Sequence, residues 1–253
     1  MRRNSLIIAL FFIIISMITY ATAPKTTPCT PKERTIAITL DDLPLEHTQF
    51  EKITHALTKH KAPAIGFVIA QNINEESLKD LHAFLDSGFL LGNHSYSHVN
   101  LRKISAASYI ADVDRADKIL SPLMTGTKYY RYPYLSESSL AKKQKVLHYL
   151  KKNHYRVAPV TIDSRDFIFN MKLINEISSN PELLNKLRQQ YLDFVWQQTI
   201  FAEHNQRCNS TKQILLLHAN LLNSYFLDDL LQMYEQHGYR FISVEEALKK
   251  TPS

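Results

Sequence analysis

Cysteine is scarce in this chain: 253 residues hold two, Cys29 and Cys208. The most that they can form together is one disulfide, which would close a long loop from ahead of the first strand to late in the chain. Whether they pair stays open here, although an oxidising compartment would permit it. Net charge is small as well. Lys and Arg outnumber Asp and Glu by 30 to 24, an excess that lysine-rich solvated helices explain equally well, and no nucleic-acid partner is expected from it. Internal repeats and low-complexity tracts are absent. Long apolar runs reduce to one, Leu6 to about Ile18, which is short for a membrane span.

The first 23 residues set that run behind Arg2 and Arg3 and ahead of Ala21-Thr22-Ala23, the layout of a secretory signal peptide. Cleavage after Ala23 would leave Pro24 at the new terminus, so a cut after Ala21 or an uncleaved anchor stays open. The reading is an exported protein, periplasmic or associated with the cell envelope, with no stable membrane span once the signal is removed. Losing Arg2 and Arg3 takes the net charge from +6 to +4. A Pro/Thr/Lys-rich lead occupies 24–34, and 35–253 is read as one domain, since 45% hydrophobic and 21% charged residues suit a globular core.

From Thr35 onward, apolar runs of strand length alternate with helical patterns. Seven strands are expected: 35–40, 64–70, 89–95, 128–134, 155–162, 213–220 and 239–244. Helical periodicity marks 75–88, 104–123, 139–154 and 224–238, with Gly88 and Gly238 placed where helices stop. Near-continuous apolar strands, each followed by a helix, imply a parallel sheet buried on both faces, as a barrel or a doubly wound sheet. The gap from Phe167 to Lys212 is too long for a bare loop and has helical periodicity at 181–204. It reads as a helical insertion, about 168–212, ahead of the sixth strand.

Polar groups gather at one end of these strands, the end where a barrel collects its chemistry. The first strand ends in Asp41-Asp42, the third in His94 with His98 after it, the fourth in Arg131-Tyr132-Pro133-Tyr134, the fifth in Asp163 with Asp166 close by, and the sixth in His218. Singly, each has a plain structural explanation: a turn or cap for the acids, a salt bridge for Arg131, a satisfied strand-end histidine for His218. The spacing of His94 and His98 permits chelation and equally permits a solvated turn. Their coincidence on one rim is what the plain explanations do not predict.

Five ordered motifs then carry a resemblance to the polysaccharide deacetylases with the NodB-homology domain, carbohydrate esterase family 4. TLDDLP (39–44) is similar to the family's T-F-D-D-G-P, NHSYSH (93–98) to H-[ST]-x-x-H, RYPY (131–134) to R-x-P-[YF], DSRDF (163–167) to D-x-x-D-W, and LLH (216–218) to L-x-H. The resemblance runs from about Arg34 to Leu248 and implies a deformed (β/α)7 barrel. Departures are Leu40 for Phe, Leu43 for Gly, Leu135 after Tyr134 where Gly is usual, and Phe167 for Trp. Leu43 and Leu135 are expected to border the cleft and to alter its shape.

The resemblance implies a metal-dependent hydrolase that removes N-acetyl groups from amino sugars of an envelope glycan or oligosaccharide. Asp42, His94 and His98 would hold one divalent ion, zinc being the best match, since two imidazoles and a carboxylate are a known catalytic zinc set. Asp41 would be the general base, Arg131 the group that orients it, His218 the general acid, and Asp166 the partner that keeps His218 protonated. The backbone N–H of Tyr134 would help to bind the oxyanion, and Phe167 and Leu216 would wall the acetyl methyl. Asp163 receives no chemical step and reads as a turn residue. The aromatic cluster Tyr191, Phe194, Trp196 and Phe201 reads as core at helical spacing rather than as a sugar platform. An O-acetyl esterase or a non-sugar amidase could use the same site. A glycan-binding protein without catalysis is disfavoured, because Asp41 and His218 are both present.

Overall fold

The computed structural model describes residues 33–176, 181–205 and 212–249. The signal-like segment and both cysteines lie outside them, so the expectations for cleavage and for a disulfide fall outside the described residues.

The strand Arg34–Leu43 (β1) organises the fold. Its run of Ile, Ala, Thr and Leu is buried on both faces, as a strand covered by helices requires. It pairs in parallel with Ala64–Val68 (β2) and Tyr239–Phe241 (β8), and with Lys212–His218 (β7), where Thr35 to Asp41 match Lys212 to His218 residue for residue. Beyond β2 come Leu90–Asn93 (β3), Lys128–Tyr130 (β4) and Tyr155–Val157 (β5); beyond β7 comes Ile162–Asp163 (β6). Every pairing is parallel.

The fifth expected strand is a correction. Residues 155–162 form two short strands at opposite edges of the sheet, β5 on β4 and β6 on β7, so the described residues hold eight strands instead of seven. Between them Ala158 N–H donates to Tyr130 O (2.9 Å) and Thr161 N–H to Ile214 O (3.0 Å). Three peptide steps separate those residues and cannot span more than about 11 Å. The two sheet edges therefore approach each other, and the curled sheet closes into a (β/α)7-like barrel through a short seam.

Helices cover the outside: His47–Lys59 (α1), Glu75–Asp86 (α2), Ala106–Leu120 (α3), Leu140–Lys152 (α4), Leu221–Gln236 (α7) and the short Val244–Ala247 (α8). Their starts follow local chemistry. Asn74 and Ser77 form a reciprocal capping box on α2, and Asn220 caps α7 through Asn223 N–H. Gly88 (φ 87°) and Gly238 (φ 75°) take the left-handed conformation that lets the chain leave α2 and α7. The expected insertion is two helices, Asp166–Glu176 (α5) and Pro181–Asn205 (α6). Of its aromatic cluster, Tyr191 is fully buried, Phe194 packs on the core and Trp196 stacks on His237 at 3.6 Å, whereas Phe201 is exposed. No helix among the described residues is long and apolar enough to cross a membrane.

Candidate active site and metal centre

Successive side chains of a regular strand face opposite sides of the sheet. At the exit of β1 that alternation is broken. The register between β1 and β2 shifts between Leu40 and Leu43, and Asp42 has φ of 69°. Buried Asp41 and partly buried Asp42 consequently line one cleft of about 580 Å³ together with His94, His98, Tyr134, Phe167 and His218. Left-handed backbone recurs at Ser95, His98, Tyr134, Leu135 and Arg165. At non-glycine residues it costs about 1–3 kcal/mol each and collects where side chains must be aimed.

The NHSYSH segment is a tight loop, not a helix. Asn93 Oδ1 accepts from Ser95 N–H (2.7 Å), Ser95 Oγ from His98 N–H (3.0 Å), and Asp112 on α3 takes the Tyr96 and Ser97 N–H groups and the Ser97 hydroxyl. The loop aims both imidazoles at Asp42: His94 Nε2 and His98 Nε2 lie 3.4 and 3.3 Å from Asp42 Oδ1. A tetrahedral ion about 2.1 Å from each donor needs donors about 3.4 Å apart. His94 Nδ1 donates to Arg131 O at 2.9 Å, which leaves the Nε2 lone pair for a ligand. Asp42 Oδ1 is buried with no hydrogen-bond partner, a costly state that a cation would relieve. Burial opposes ionisation of Asp42, but the imidazoles around it, His94 foremost, prevail and hold the carboxyl below its ordinary value. Burial, then neighbouring His94, pushes His98 down, toward the neutral form that ligates. These three residues fit a divalent ion.

Asp41 faces Arg131, which follows β4. The guanidinium is fully buried and each of its three nitrogens donates: Nη1 to both Asp41 oxygens (3.3 and 3.4 Å), Nη2 to Thr39 Oγ1 (3.1 Å) and Nε to Ala158 O (2.9 Å). The Phe67 ring covers it at 4.7 Å. Burial lowers its pKa and Asp41 opposes that, and an arginine so placed stays charged.

Across the cleft, Asp166 Oδ1 accepts from His218 Nδ1 and Oδ2 from the His218 backbone N–H, each at 2.6 Å. Asn220 and Asn223 also donate to Oδ2 (3.2 and 2.6 Å). Tyr191, on α6, donates to Asn223 Oδ1 at 3.0 Å, so the insertion braces this group from behind. Burial disfavours the His218 cation, yet the hydrogen bond and charge of Asp166, helped by Asp42 and Asp41, outweigh it and push the ring up to about 9.

The remaining expected residues divide. Phe167 stands edge-on to His218 at 6.1 Å, Tyr134 packs on His98 at 4.6 Å, and buried Leu216 lines the floor. Leu135 borders the cleft as expected. Leu43 does not: it is fully buried in the core, pressed toward Gly66, so its replacement of glycine leaves the cleft shape alone. Asp112, Asn220 and Asn223 carry no assigned role in the sequence reading, and Thr39 stands there only as the first residue of the TLDDLP motif. Of these, only Asn220, just past β7, signals itself, and it does so as a helix cap.

A family model described as polysaccharide deacetylase matches residues 29–158, just over half of the chain. The chain is 33% identical over 144 residues to a probable peptidoglycan-N-acetylglucosamine deacetylase of Arthroderma benhamiae, covering 55% of this chain and 31% of that protein. It is 34% identical over 101 residues to a peptidoglycan-N-acetylglucosamine deacetylase of Bacillus cereus, covering 39% and 36%. It thus spans about a third of the length of these relatives. In fold it is similar to the peptidoglycan deacetylase PdaC of Bacillus subtilis, with a TM-score of 0.62 at 19% identity, covering 86% of this chain and 91% of that one. The matched family model covers three of the five motifs and the barrel accommodates the other two around the same cleft: this chain belongs to the polysaccharide deacetylase family.

Proposed function

We propose that the protein is a metal-dependent hydrolase that removes N-acetyl groups from amino sugars of an envelope glycan outside the cytoplasm. The observation that carries this reading is the convergence on one cleft of an Arg-held carboxylate, an Asp-His-His donor set and an Asp-held histidine. Relatives named for peptidoglycan deacetylation support the substrate class and the export.

Asp42, His94 and His98 would hold the ion, zinc by the donor set. What such an ion supplies is Lewis acidity, polarising a carbonyl and acidifying water. Asp41 accepts the proton of the attacking water, its carboxylate aimed by Arg131. The Tyr134 N–H donates to the carbonyl oxygen as negative charge grows on it. His218, protonated through Asp166, presents Nε2 to the departing nitrogen and delivers the proton that makes it an amine. Phe167 and Leu216 exclude water from the acetyl methyl.

The test is acetate release from N-acetylglucosamine oligomers by protein stripped of metal, then reloaded with one equivalent of zinc. Activity that returns with zinc and acts on amides is expected. Release from O-acetyl esters alone, or activity indifferent to metal, would refute the reading.

A further inference from the structure

Asp163 and Arg165 line the same cleft, and the chemistry above uses neither. Asp163 closes β6 and accepts twice from Arg165: the backbone N–H donates to Oδ1 at 3.0 Å and Nε lies 3.0 Å from Oδ2. Arg165 itself sits at φ 51°, a conformation that a long side chain adopts only where its surroundings impose it. The carboxylate thus holds the guanidinium by its Nε corner, a contact that does not use the two terminal nitrogens, and the side chain as a whole is about half exposed among the residues that line the cleft. Among the described lining residues Arg165 is the one Lys or Arg; of the other titratable groups there, Asp42, His94 and His98 form the donor set, Asp41 is held by Arg131, and His218 is held by Asp166.

We infer that Arg165 is a specificity-determining residue that binds a carboxylate on the substrate, carried by the sugar or by a substituent next to the acetamide. A guanidinium edge with two parallel N–H donors matches a planar carboxylate in a bidentate pair, and an arginine already fixed by Asp163 gives up little side-chain freedom in binding. Asp163 is then a positioning residue, which accounts for an acidic motif position without a chemical step. A neutral acetylated glycan reaches the metal centre without using Arg165; an anionic one gains an added hold.

This inference rests on the deacetylase reading for its substrate, and its test separates the two. Binding to the zinc-loaded protein is measured by calorimetry for two glycans of equal length, one with free carboxylates beside the N-acetylated ring and one with those carboxylates amidated; acetate release is followed in parallel. The free acid should bind roughly tenfold more tightly or better. Arg165→Gln should erase that difference without weakening the amidated glycan, while Arg165→Lys should recover part of it, since charge remains but the fork is lost. Asp163→Asn should reduce the preference for the free acid, because Arg165 is then no longer held in place. Equal binding of the two glycans, no binding of either, or a preference that survives Arg165→Gln would overturn the inference. Binding preference without acetate release would overturn the deacetylase reading instead.

Discussion

Asp166 grips His218 twice, once through the ring Nδ1 and once through the backbone N–H, with both contacts at 2.6 Å. The ring's protonation and its position are therefore controlled by one carboxylate 52 residues away in the chain. His218 is raised from 6.5 to about 9, above its ordinary value. Its charged form then contributes stability that is complete below about pH 6.5 and fades as the pH climbs through about 9. Asp166→Asn should remove most of that shift, move the alkaline limb of the activity profile to lower pH and reduce turnover. An NMR titration of the His218 ring in both proteins measures the shift directly; an unmoved titration would assign the proton to another group.

Asp41 and Asp42 are neighbours that face different partners, the Arg131 guanidinium and the two imidazoles. Asp41→Asn should abolish hydrolysis and keep near-stoichiometric zinc, whereas Asp42→Asn should lose both, because only Asp42 faces the two Nε2 atoms within 3.4 Å. Metal content by mass spectrometry beside acetate release decides the matter. Equal metal loss in the two variants would contradict the division.

Arg131 should matter for stability as much as for activity. Arg131→Met leaves the buried Asp41 carboxylate without its counter-charge, and breaking a buried pair from one side costs about 3–5 kcal/mol. Asp41→Asn should cost less, because the guanidinium keeps Ala158 O and Thr39 Oγ1. Urea unfolding of the two single variants and the double variant reads the difference.

A Cβ at Gly66 would fall 2.0 Å from Leu43 Cδ1. Gly66→Ala should destabilise the fold by about 1–3 kcal/mol through overpacking, and adding Leu43→Ala should recover part of that loss. If Leu43 faced the cleft, the two changes would be independent, and a thermal-unfolding double-mutant cycle distinguishes these outcomes.

Much of this was legible in the sequence because it depends on short-range pattern. Apolar runs with interposed helical periods announce a parallel barrel, and strand-end acids and histidines announce a rim. The division of 155–162 was not legible, since Ala158-Pro159-Val160-Thr161 has the composition of a strand and only long-range pairing shows that its ends serve different edges. Leu43 was misread because a bulge, which no periodicity reveals, turns the chain inward after Asp42. Asp112, Asn220 and Asn223 escaped because a polar residue that holds a site from behind looks like any cap or solvated position until the fold places its partner.

The seam at 158–161 has one more consequence. Ala158, whose N–H ties it to β4, also offers its carbonyl to Arg131 Nε. The clasp that shuts the barrel is thereby the same piece of chain that seats the arginine behind Asp41. A chain whose barrel has yet to shut lacks that seat, so Arg131 cannot aim Asp41 until the seam has formed.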